Sequence, residues 1–449
     1  MGDFIIDFSN WIWDIPMLAL LMGGGLILFI YSGFLPFRYF GHALKVVRGK
    51  YDTENVPGQI SSQQALSAAI AATVGMGNIS GVAIAINMGG PGAIFWMWMS
   101  AFVGMATKYF TCSLALMYRG TDTAGVVQGG PMYVIEHGMG KKWKPLAILF
   151  SVAGVLGLLS IFQANQLTEV FRSVMLQPYG LDNGEPTKWI IGIAMMVLVA
   201  IVILGGIQRI AAVASKLVPF MVLLYFGTVM LIVIKYFGRI PEMLWLIVED
   251  AFTGNAVMGG AVGAVMVIGA RRAAFSNEAG IGTAPMVHGA SKNNEPVREG
   301  MIAMLGPFID TIVVCTLTAL VIMLTGVWEN AENDGVKLTL EAFEMGLPGI
   351  GKYLLMLAVL IFALSTMFTY SFYGHKCFNY LFGADKADYY NYFYLITIVA
   401  GAVVSLNVVV SFIDAMYAIM AIPTMISTLY LAPKVKAATK DYFARMKGK

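Results

Sequence analysis

The chain has 449 residues, of which 58% are hydrophobic and only 12% are charged, and its mean hydropathy is +0.74. A soluble domain carries about 25% charged residues, so this composition excludes a soluble enzyme or binding domain and predicts an all-α polytopic membrane protein. The formal net charge of +3 gives no indication of a nucleic-acid partner. Three widely spaced cysteines and four scattered histidines form no metal or redox motif, so we expect no cofactor.

Apolar runs long enough to cross a bilayer, which takes about 20 helical residues, recur along the whole sequence. The eleven predicted spans are residues 15–34, 62–87, 93–118, 146–175, 189–206, 211–234, 258–286, 301–325, 350–374, 389–408 and 411–432. No basic residue precedes the first run, so we expect no cleavable signal peptide. We expect a single transmembrane domain over residues 1–449, with a basic tail at residues 433–449.

Lysine and arginine are divided unevenly between the predicted loops. Most of the 29 fall on the same side as the tail or inside spans, whereas the opposite connections contain only Lys235, Arg239 and Lys337. Because cytoplasmic loops retain positive charge, the pattern predicts that the N-terminus is outside and the C-terminus is in the cytoplasm.

Two stretches rich in glycine and small polar residues, 71–81 and 274–283, interrupt the apolar pattern. They lie in the second and the seventh predicted span, so that each begins a set of five spans. Because five is odd, the second set is inserted in the opposite direction. This predicts an inverted repeat of residues 62–234 and 258–432, with the span at 15–34 outside it. One glycine cluster alone is equally typical of close helix packing, but the matching position of the second favours two discontinuous helices.

A break in a membrane helix leaves N–H and C=O groups without partners, and these groups persist only where something binds them. The free N–H groups at the start of a half-helix suit a carboxylate, and the free carbonyl groups at the end of one suit a cation. Two breaks that face each other therefore suit a zwitterion together with a cation. An amino acid with Na⁺ is the simplest such cargo.

Ionisable residues inside spans are candidates for function by default. Glu278 lies in the second break, where it is either a proton carrier or ion ligand, or a structural carboxylate that accepts freed N–H groups. Arg272 and its neighbour Arg271 are candidates for an external gate that pairs with a carboxylate. Asp310 is a candidate cation ligand, with a buried ion pair as the alternative.

Polar side chains on two other spans are candidates for the wall of the site. Gln163, Asn165 and Gln166 interrupt the apolar face of the fourth span. Ser365 and Thr366 in the ninth span offer two adjacent hydroxyl oxygens, which are suitable donors for Na⁺. Hydroxyl groups that bond back to their own helix are the alternative for this pair.

Residues 89–104 read GGPGAIFWMWMSAFVG. This segment closely resembles the signature of the alanine or glycine:cation symporter family, which comprises prokaryotic sodium-coupled amino acid carriers. Residues 72–81, 129–133 (GGPMY) and 275–280 (FSNEAG) are similar to further motifs of that family. The resemblance extends from about residue 15 to residue 435. It implies the inverted-repeat fold of the neurotransmitter:sodium symporters, known from the transporter LeuT, in the plasma membrane of a prokaryote.

The resemblance implies that the N–H groups of Gly75 and Gly77 hold the substrate carboxylate and that Phe275 and Ser276 face the substrate. With the polar residues above, the candidate substrate site is Thr73, Gly75, Met76, Gly77, Asn78, Gln163, Gln166, Phe275, Ser276 and Asn277. By the same resemblance, the sodium ligands are Ala71, Val74, Ser365 and Thr366, with Thr73 and Asn78 near a second cation position. Arg272, Glu278 and Asp310 remain the gate or coupling candidates.

These observations predict a secondary active transporter that carries alanine or glycine, with D-alanine as a further substrate, into the cell with Na⁺ by alternating access. A proton-coupled amino acid permease of the same fold, with Glu278 or Asp310 as the proton carrier, is the alternative. A membrane-embedded enzyme would need a catalytic pair at one depth, which the sequence does not offer. A channel would be distinguished by steady conductance. We expect a monomer surrounded by membrane lipid.

Overall fold

The computed structural model describes residues 2–51, 58–252, 262–330 and 334–447. Helices dominate these residues, and the strands among them form a short antiparallel hairpin of β1 (Gly120–Thr121) and β2 (Val127–Gln128). Six helical segments of the described chain are long and apolar enough to cross a membrane, and two further pairs of helices pass the same test although each is bent at a break. The six segments are Lys141–Tyr179, Glu185–Ile203, Gly206–Lys235, Pro296–Thr325, Gly351–Phe382 and Leu406–Met446.

The N-terminal region begins with a helix that precedes the first predicted span. In α1 (Gly2–Ile12), the part from Phe4 onward is bent by 43° relative to the segment Ile15–Tyr31. The bend lies next to Pro16, which has no N–H to donate and is therefore favoured in the first turn of a helix. The elements that follow are α2 (Ile15–Leu18), α3 (Gly24–Tyr31), α4 (Leu35–Arg38) and α5 (Phe40–Val47).

The first interrupted helix consists of α6 (Ser62–Thr73) and α7 (Val82–Gly89), and the segment Gly77–Gly89 is bent by 47° relative to α6. A capping box starts α6, because Ser61 and Gln64 each accept a hydrogen bond from the other's backbone N–H. The two parts are joined by residues 74–76 and a π-helical turn at Gly77–Gly81. The long helix α8 (Gly92–Met117) follows.

The middle of the chain contains a further interruption within the predicted span 146–175, where residues 158–160 separate two helices. The helices of this region are α9 (Pro131–Tyr133), α10 (Lys144–Gly157), α11 (Ile161–Phe171), α12 (Glu185–Ile203), α13 (Gly206–Lys235) and α14 (Ile240–Asp250).

The second interrupted helix consists of α15 (Val262–Asn277) and α16 (Ala284–His288), which are separated by the non-helical residues 278–283. A span then follows that contains a π-helical segment at Phe308–Cys315. The helices of this region are α17 (Pro296–Ala303), α18 (Leu305–Pro307), α19 (Thr316–Thr325) and α20 (Val336–Gly346).

The C-terminal region ends in a helix that is longer than the last predicted span. Its helices are α21 (Gly351–Phe382), α22 (Ala384–Ala387), α23 (Tyr389–Val403) and α24 (Leu406–Lys447). α24 continues through Pro423 and Pro433, so that the basic tail is helical as far as Lys447. Shorter π-helical and 3₁₀ segments lie at Ala19–Gly23, Val134–Met139, Lys141–Trp143, Arg172–Leu176, Gln177–Tyr179, Phe237–Arg239 and Val327–Asn330.

The two interrupted helices form the centre of the bundle. α6 packs against α13 and α21, and α15 packs against α7 and α8. Asn78 and Asn277, one at each break, are completely buried. By contrast, α12 and α13 present large apolar side chains at the surface, such as Ile190 at 68% and Leu223 at 72% exposure. Exposed apolar surface of this extent is typical of helices that contact lipid.

Candidate functional site

The first break is stabilised by a side chain from its own turn. Val74 has an extended backbone, and the N–H of Gly75 donates to Asn78 Oδ1 at 2.7 Å. The N–H of Asn78 donates back to the Gly75 carbonyl at 3.1 Å. A break leaves backbone groups without helical partners, and these two hydrogen bonds replace some of the helical hydrogen bonds that are missing there. Thr73 and Met76 are buried beside them.

Two hydroxyl groups of α21 lie against the carbonyl end of α6. Ser365 Oγ and Thr366 Oγ1 donate to the Ala71 carbonyl oxygen at 3.3 and 3.1 Å, and each is 3.0 Å from the Phe362 carbonyl oxygen of its own helix. The C-terminal end of a helix carries a partial negative charge. Carbonyl and hydroxyl oxygens therefore meet at a position that favours a cation.

The approach of α21 to the first break requires a glycine. A Cβ atom at Gly75 would lie 2.5 Å from Thr366 Oγ1, which is closer than two such atoms approach in folded proteins. Glycine therefore allows the hydroxyl to reach the interrupted backbone.

The second break contains backbone that helices do not adopt. Glu278 has a φ of +56°, and Gly280 and Gly282 have φ values of +87° and +104°. The left-handed conformation costs a residue with a side chain about 1–2 kcal/mol, so Glu278 must be held in place by its contacts. Asn277 contributes at the edge of this segment, because its side chain accepts from the N–H of Ala279 and donates to Thr311 Oγ1, each at 2.9 Å.

Asp310 connects the two breaks. Asn78 Nδ2 donates to Asp310 Oδ1 at 2.7 Å, whereas Ser276 Oγ donates to Asp310 Oδ2 at 2.8 Å. Thr311 Oγ1 also donates to Oδ2, at 2.7 Å. Asp310 is completely buried, and a buried carboxylate needs such donors to remain charged. The breaks also touch directly, because a Cβ atom on Gly77 would lie 3.0 Å from Ser276 Cα.

The carboxylate of Glu278 has a separate set of partners. Thr283 Oγ1 donates to Glu278 Oε2 at 2.5 Å, and the Tyr370 hydroxyl donates to Oε1. The Tyr370 hydroxyl is in turn 2.6 Å from that of Tyr417. No positively charged side chain among the described residues lies within ion-pair distance of Glu278. Hydroxyl groups therefore satisfy this carboxylate.

Phe275 contributes an aromatic wall next to the second break. Its ring packs edge-on against Phe162 of α11, with centroids 4.9 Å apart, and its centroid is 5.9 Å from that of Tyr417. The guanidinium of Arg272 lies over the same ring at 5.5 Å. Gln163, Asn165 and Gln166 were the residues predicted for this wall on the fourth span, but the side chain that packs against Phe275 is the neighbouring Phe162.

The predicted glutamines of α11 have different surroundings. Gln166 Oε1 accepts hydrogen bonds from Ser80 Oγ at 2.5 Å and from the Val336 N–H at 3.1 Å, so it connects the first interrupted helix to α20. Gln163 is buried, and its Oε1 has no hydrogen-bond partner among the described residues. Gln166 is thus engaged within the protein, whereas Gln163 retains a free acceptor.

A buried charge cluster lies on the segment of α15 that precedes the second break. Asp414 of α24 forms ion pairs with Arg271, at 2.7 Å, and with Arg272. Arg271 also donates to Ser9 Oγ of α1 at 2.5 Å, and Trp13 Nε1 donates to the Asp414 carbonyl at 2.6 Å. The N-terminal helix therefore covers the two arginines that precede the second break.

The opposite end of the interrupted helices is joined by buried polar contacts. His288 Nδ1 lies 2.6 Å from Glu299 Oε1, and Ser62 Oγ donates to Glu299 Oε2 at 2.8 Å. Residues 59–60 also bond to the backbone after α16, since the N–H of Gln59 donates to the Ala290 carbonyl at 2.8 Å. The start of the first interrupted helix is thereby attached to the end of the second.

A comparison of the sequence with known protein families agrees with this arrangement of two joined breaks. The sequence model of the sodium:alanine symporter family matches residues 1–449. The chain belongs to this family.

Two relatives cover nearly all of the chain. It is 40% identical over 448 residues to an uncharacterized transporter of Haemophilus influenzae, which is 98% of this chain and 95% of that protein. It is 37% identical over 442 residues to the sodium/alanine symporter AgcS of Methanococcus maripaludis, which is 97% of this chain and 95% of that protein.

A solved structure resembles the fold. MhsT, a LeuT-fold transporter crystallised with L-phenylalanine, superposes with a TM-score of 0.61 at 13% identity, over 85% of this chain and 98% of MhsT. The comparison shows that the two chains share a fold. The expected family and the LeuT-like fold are therefore confirmed, and members of the sodium:alanine symporter family are amino-acid:cation transporters, not enzymes.

In this member of the sodium:alanine symporter family, most of the predicted site residues lie together around the two breaks. Glu278 and Arg272 have partners different from those of Asp310, and Gln166 lies at the contact with α20. Three residues were missed, namely Phe162, Tyr370 and Tyr417. The signal for Phe162 was its position next to Gln163, whereas the tyrosines lie on α21 and α24 without any local pattern that marks them.

Proposed function

We propose that this protein is a secondary active transporter that carries alanine or glycine into the cell together with Na⁺, and that it also accepts D-alanine. Membership of a family of amino-acid:cation symporters supports the class of reaction. The observation that carries the specific proposal is the contact between two interrupted helices at Asp310, with helix ends of opposite polarity beside it.

The substrate carboxylate binds at the N–H groups of the first break, around Gly75 and Gly77. The supporting observation is that Met76 begins a new helical turn there, and that the start of a helix carries a partial positive charge. Asn277, Ser276 and Phe275 form the facing wall. Because the Gly77 backbone approaches Ser276 so closely, a substrate side chain larger than a methyl group would have little room.

One Na⁺ binds at the carbonyl end of α6, where the ligands are the Ala71 and Val74 carbonyls and the hydroxyls of Ser365 and Thr366. The hydroxyl contacts with Ala71 support this position. A second cation position lies beside Asn78, with Thr73, Ser276 and Asp310 as its neighbours. The carboxylate of Asp310 supports it, since a cation would replace the amide and hydroxyl donors that now satisfy that charge.

The transporter has eleven spans, with the N-terminus outside, the C-terminus in the cytoplasm and an inverted repeat of residues 62–234 and 258–432. The interruptions near the start of both repeats support this arrangement. In this orientation, the external gate consists of the ion pairs that Arg271 and Arg272 form with Asp414. The cluster of His288, Glu299 and Ser62 then lies on the cytoplasmic side. The protein acts as a monomer within membrane lipid.

The second candidate function is proton-coupled transport by the same fold. The observation that favours it is the burial of two carboxylates, Glu278 and Asp310, that have hydroxyl and amide donors but no ion-pair partner among the described residues. Glu278 is the better candidate for the proton carrier, because its three hydroxyl neighbours can donate to the ionised carboxylate and accept from the protonated carboxyl group.

Uptake by the purified protein in liposomes separates the two candidates. We expect labelled alanine to accumulate with an inward Na⁺ gradient at equal pH on both sides, and not with a pH gradient in the absence of Na⁺. Unlabelled glycine and D-alanine should compete, and leucine should not. Accumulation that follows the pH gradient and ignores Na⁺ would replace the sodium proposal by the proton proposal.

A further inference from the structure

A cavity of about 520 Å³ lies between α3, α8 and the C-terminal part of α24, and no described residue of the interrupted helices lines it. Three of its lining side chains are basic, namely Arg38, Lys436 and Lys440, and none of the described residues that line it is acidic. No carboxylate of the described chain forms an ion pair with any of the three. The cavity therefore concentrates positive charge that the protein does not neutralise.

The basic side chains are positioned by aromatic rings. Lys436 Nζ lies 3.9 Å from the centroid of the Tyr31 ring, and the Arg38 guanidinium lies over the ring of Tyr39 at 5.6 Å. Tyr39 stacks on Phe443 of α24 at 4.0 Å. Cation–π contacts orient a charge without neutralising it, so both cations remain available to an anion.

Apolar surface continues directly from the cavity. Ile30 lines it and is 55% exposed, and Ile27 one turn earlier on α3 is 60% exposed. Phe37, next to Arg38, is 56% exposed. A ligand that combines an anionic group with hydrocarbon chains would satisfy both surfaces, whereas a free anion would leave the apolar part unused. Basic and aromatic residues of this kind also mark the membrane–water interface.

We propose that this cavity is a binding site for the headgroup of an anionic phospholipid, whose phosphate contacts Arg38, Lys436 and Lys440 while its acyl chains lie along Ile27, Ile30 and Phe37. Lys436 and Lys440 are one helical turn apart and therefore share a face of α24. The same helix carries Asp414 about 33 Å away, at 1.5 Å per residue. The lipid thus stabilises the position of the helix that pairs with Arg271 and Arg272.

Lipid binding to the intact protein in detergent tests the proposal without a transport assay. Native mass spectrometry with phosphatidylglycerol and with phosphatidylcholine would count bound lipids. We expect selective binding of phosphatidylglycerol, and a loss of about tenfold or more in its affinity for the double variant Lys436→Gln/Lys440→Gln, since each basic residue contributes about fivefold at an anionic headgroup. Lys436→Arg/Lys440→Arg should retain binding, which controls for misfolding.

The control is Lys434→Gln, which removes one positive charge from an exposed position of α24 that does not line the cavity and is compared with each of the single variants Lys436→Gln and Lys440→Gln. Equal phosphatidylglycerol binding by the wild type and the double variant would overturn the proposal, as would equal binding of phosphatidylcholine. A thermal-shift titration with inorganic phosphate distinguishes the source of the anion. Stabilisation by phosphatidylglycerol but not by phosphate supports a lipid site, whereas equal stabilisation by phosphate alone would overturn it.

Discussion

The side-chain amide of Asn78 donates a hydrogen bond of 2.7 Å to the carboxylate of Asp310, which lies 232 positions later in the chain. The same amide group's oxygen accepts the N–H of Gly75 within the first break. One side chain therefore connects the interrupted backbone to the carboxylate that also binds Ser276 of the second interrupted helix. The amide of Asn78 and the carboxylate of Asp310 thus link the two breaks, which also touch directly at Gly77 and Ser276.

Replacement of Asn78 tests this connection. Asn78→Ala would leave the Gly75 N–H and the Asp310 carboxylate without this partner, and an unsatisfied buried polar group costs about 1–3 kcal/mol. We expect the Na⁺ concentration for half-maximal thermal stabilisation to rise about tenfold, because 1.4 kcal/mol corresponds to a factor of ten.

The control for Asn78→Ala is Asn379→Ala, which removes an amide that donates to Asp122 Oδ2 at 3.1 Å, next to the β-hairpin. This variant should keep the sodium dependence of the wild type. Wild-type sodium dependence in Asn78→Ala as well would remove Asn78 from the ion site.

The hydroxyl pair on α21 is tested by Ser365→Ala/Thr366→Ala. Both hydroxyls contact the Ala71 carbonyl, so the double variant should lose most Na⁺-dependent stabilisation and Na⁺-driven alanine uptake, while it still folds. Ser371→Ala is the matched control, because its hydroxyl bonds only to the Phe368 carbonyl of its own helix, at 2.7 Å. If the double variant and the control respond equally to Na⁺, the hydroxyls bond only within the protein.

The size of the substrate site is tested at Gly77. Gly77→Leu would place side-chain atoms where a Cβ already lies 3.0 Å from Ser276 Cα, so we expect alanine binding to be abolished. Gly81→Ala is the control, because its Cβ would make an ordinary contact of 3.8 Å with Phe275. Isothermal titration with alanine would measure both, and retained affinity in Gly77→Leu would exclude this position from the pocket.

Glu278→Gln separates sodium coupling from proton coupling. Glutamine keeps one carbonyl acceptor for Thr283 or Tyr370, and its NH₂ group can donate to the other hydroxyl, but it cannot exchange a proton at neutral pH. If Na⁺ is the coupling ion, Na⁺-driven alanine uptake should be reduced less than about threefold, since the lost charge-assisted bonds affect mainly stability. Uptake that is abolished in the variant and driven by a pH gradient in the wild type would identify Glu278 as the proton carrier.

The proposed gate is tested by Asp414→Asn. This change leaves the guanidinium of Arg272, which is only 3% exposed, without its buried counter-charge, and the loss of one member of a buried ion pair costs about 3–5 kcal/mol. We expect a lower unfolding temperature and faster labelling of a cysteine introduced at Phe162 by an external thiol reagent.

Arg445→Gln is the surface control for Asp414→Asn, because it breaks exposed ion pairs with Glu295 and Asp441. Such surface ion pairs contribute about 0–1 kcal/mol to the free energy of unfolding. An unfolding temperature lowered equally in both variants, with unchanged labelling, would contradict a gating role.

Much of the candidate site could be predicted from sequence because glycine, asparagine and small hydroxyl residues at residues 71–81 and 274–283 conflict with the surrounding apolar pattern. A backbone break in a membrane must be compensated by polar groups, so its position is marked by local composition. The family motifs at residues 89–104 added the class of transport. The interruption at residues 158–160 was missed because its leucines continue an apolar run, in which Gly154 and Gly157 are typical of a closely packed membrane helix.

The sequence by itself determined the membrane class, the positions of both breaks and the family, because each is recorded in local composition or in contiguous motifs. Only the tertiary structure decided which distant groups meet. Asn78 forms a hydrogen bond with Asp310, whereas Glu278 accepts hydrogen bonds from Thr283 and Tyr370. Asp414 forms ion pairs with Arg271 and Arg272, and Arg271 is in turn in contact with the N-terminal helix. Partners separated by hundreds of residues leave no periodic signal along the chain, since the packing of the helices alone fixes their distance.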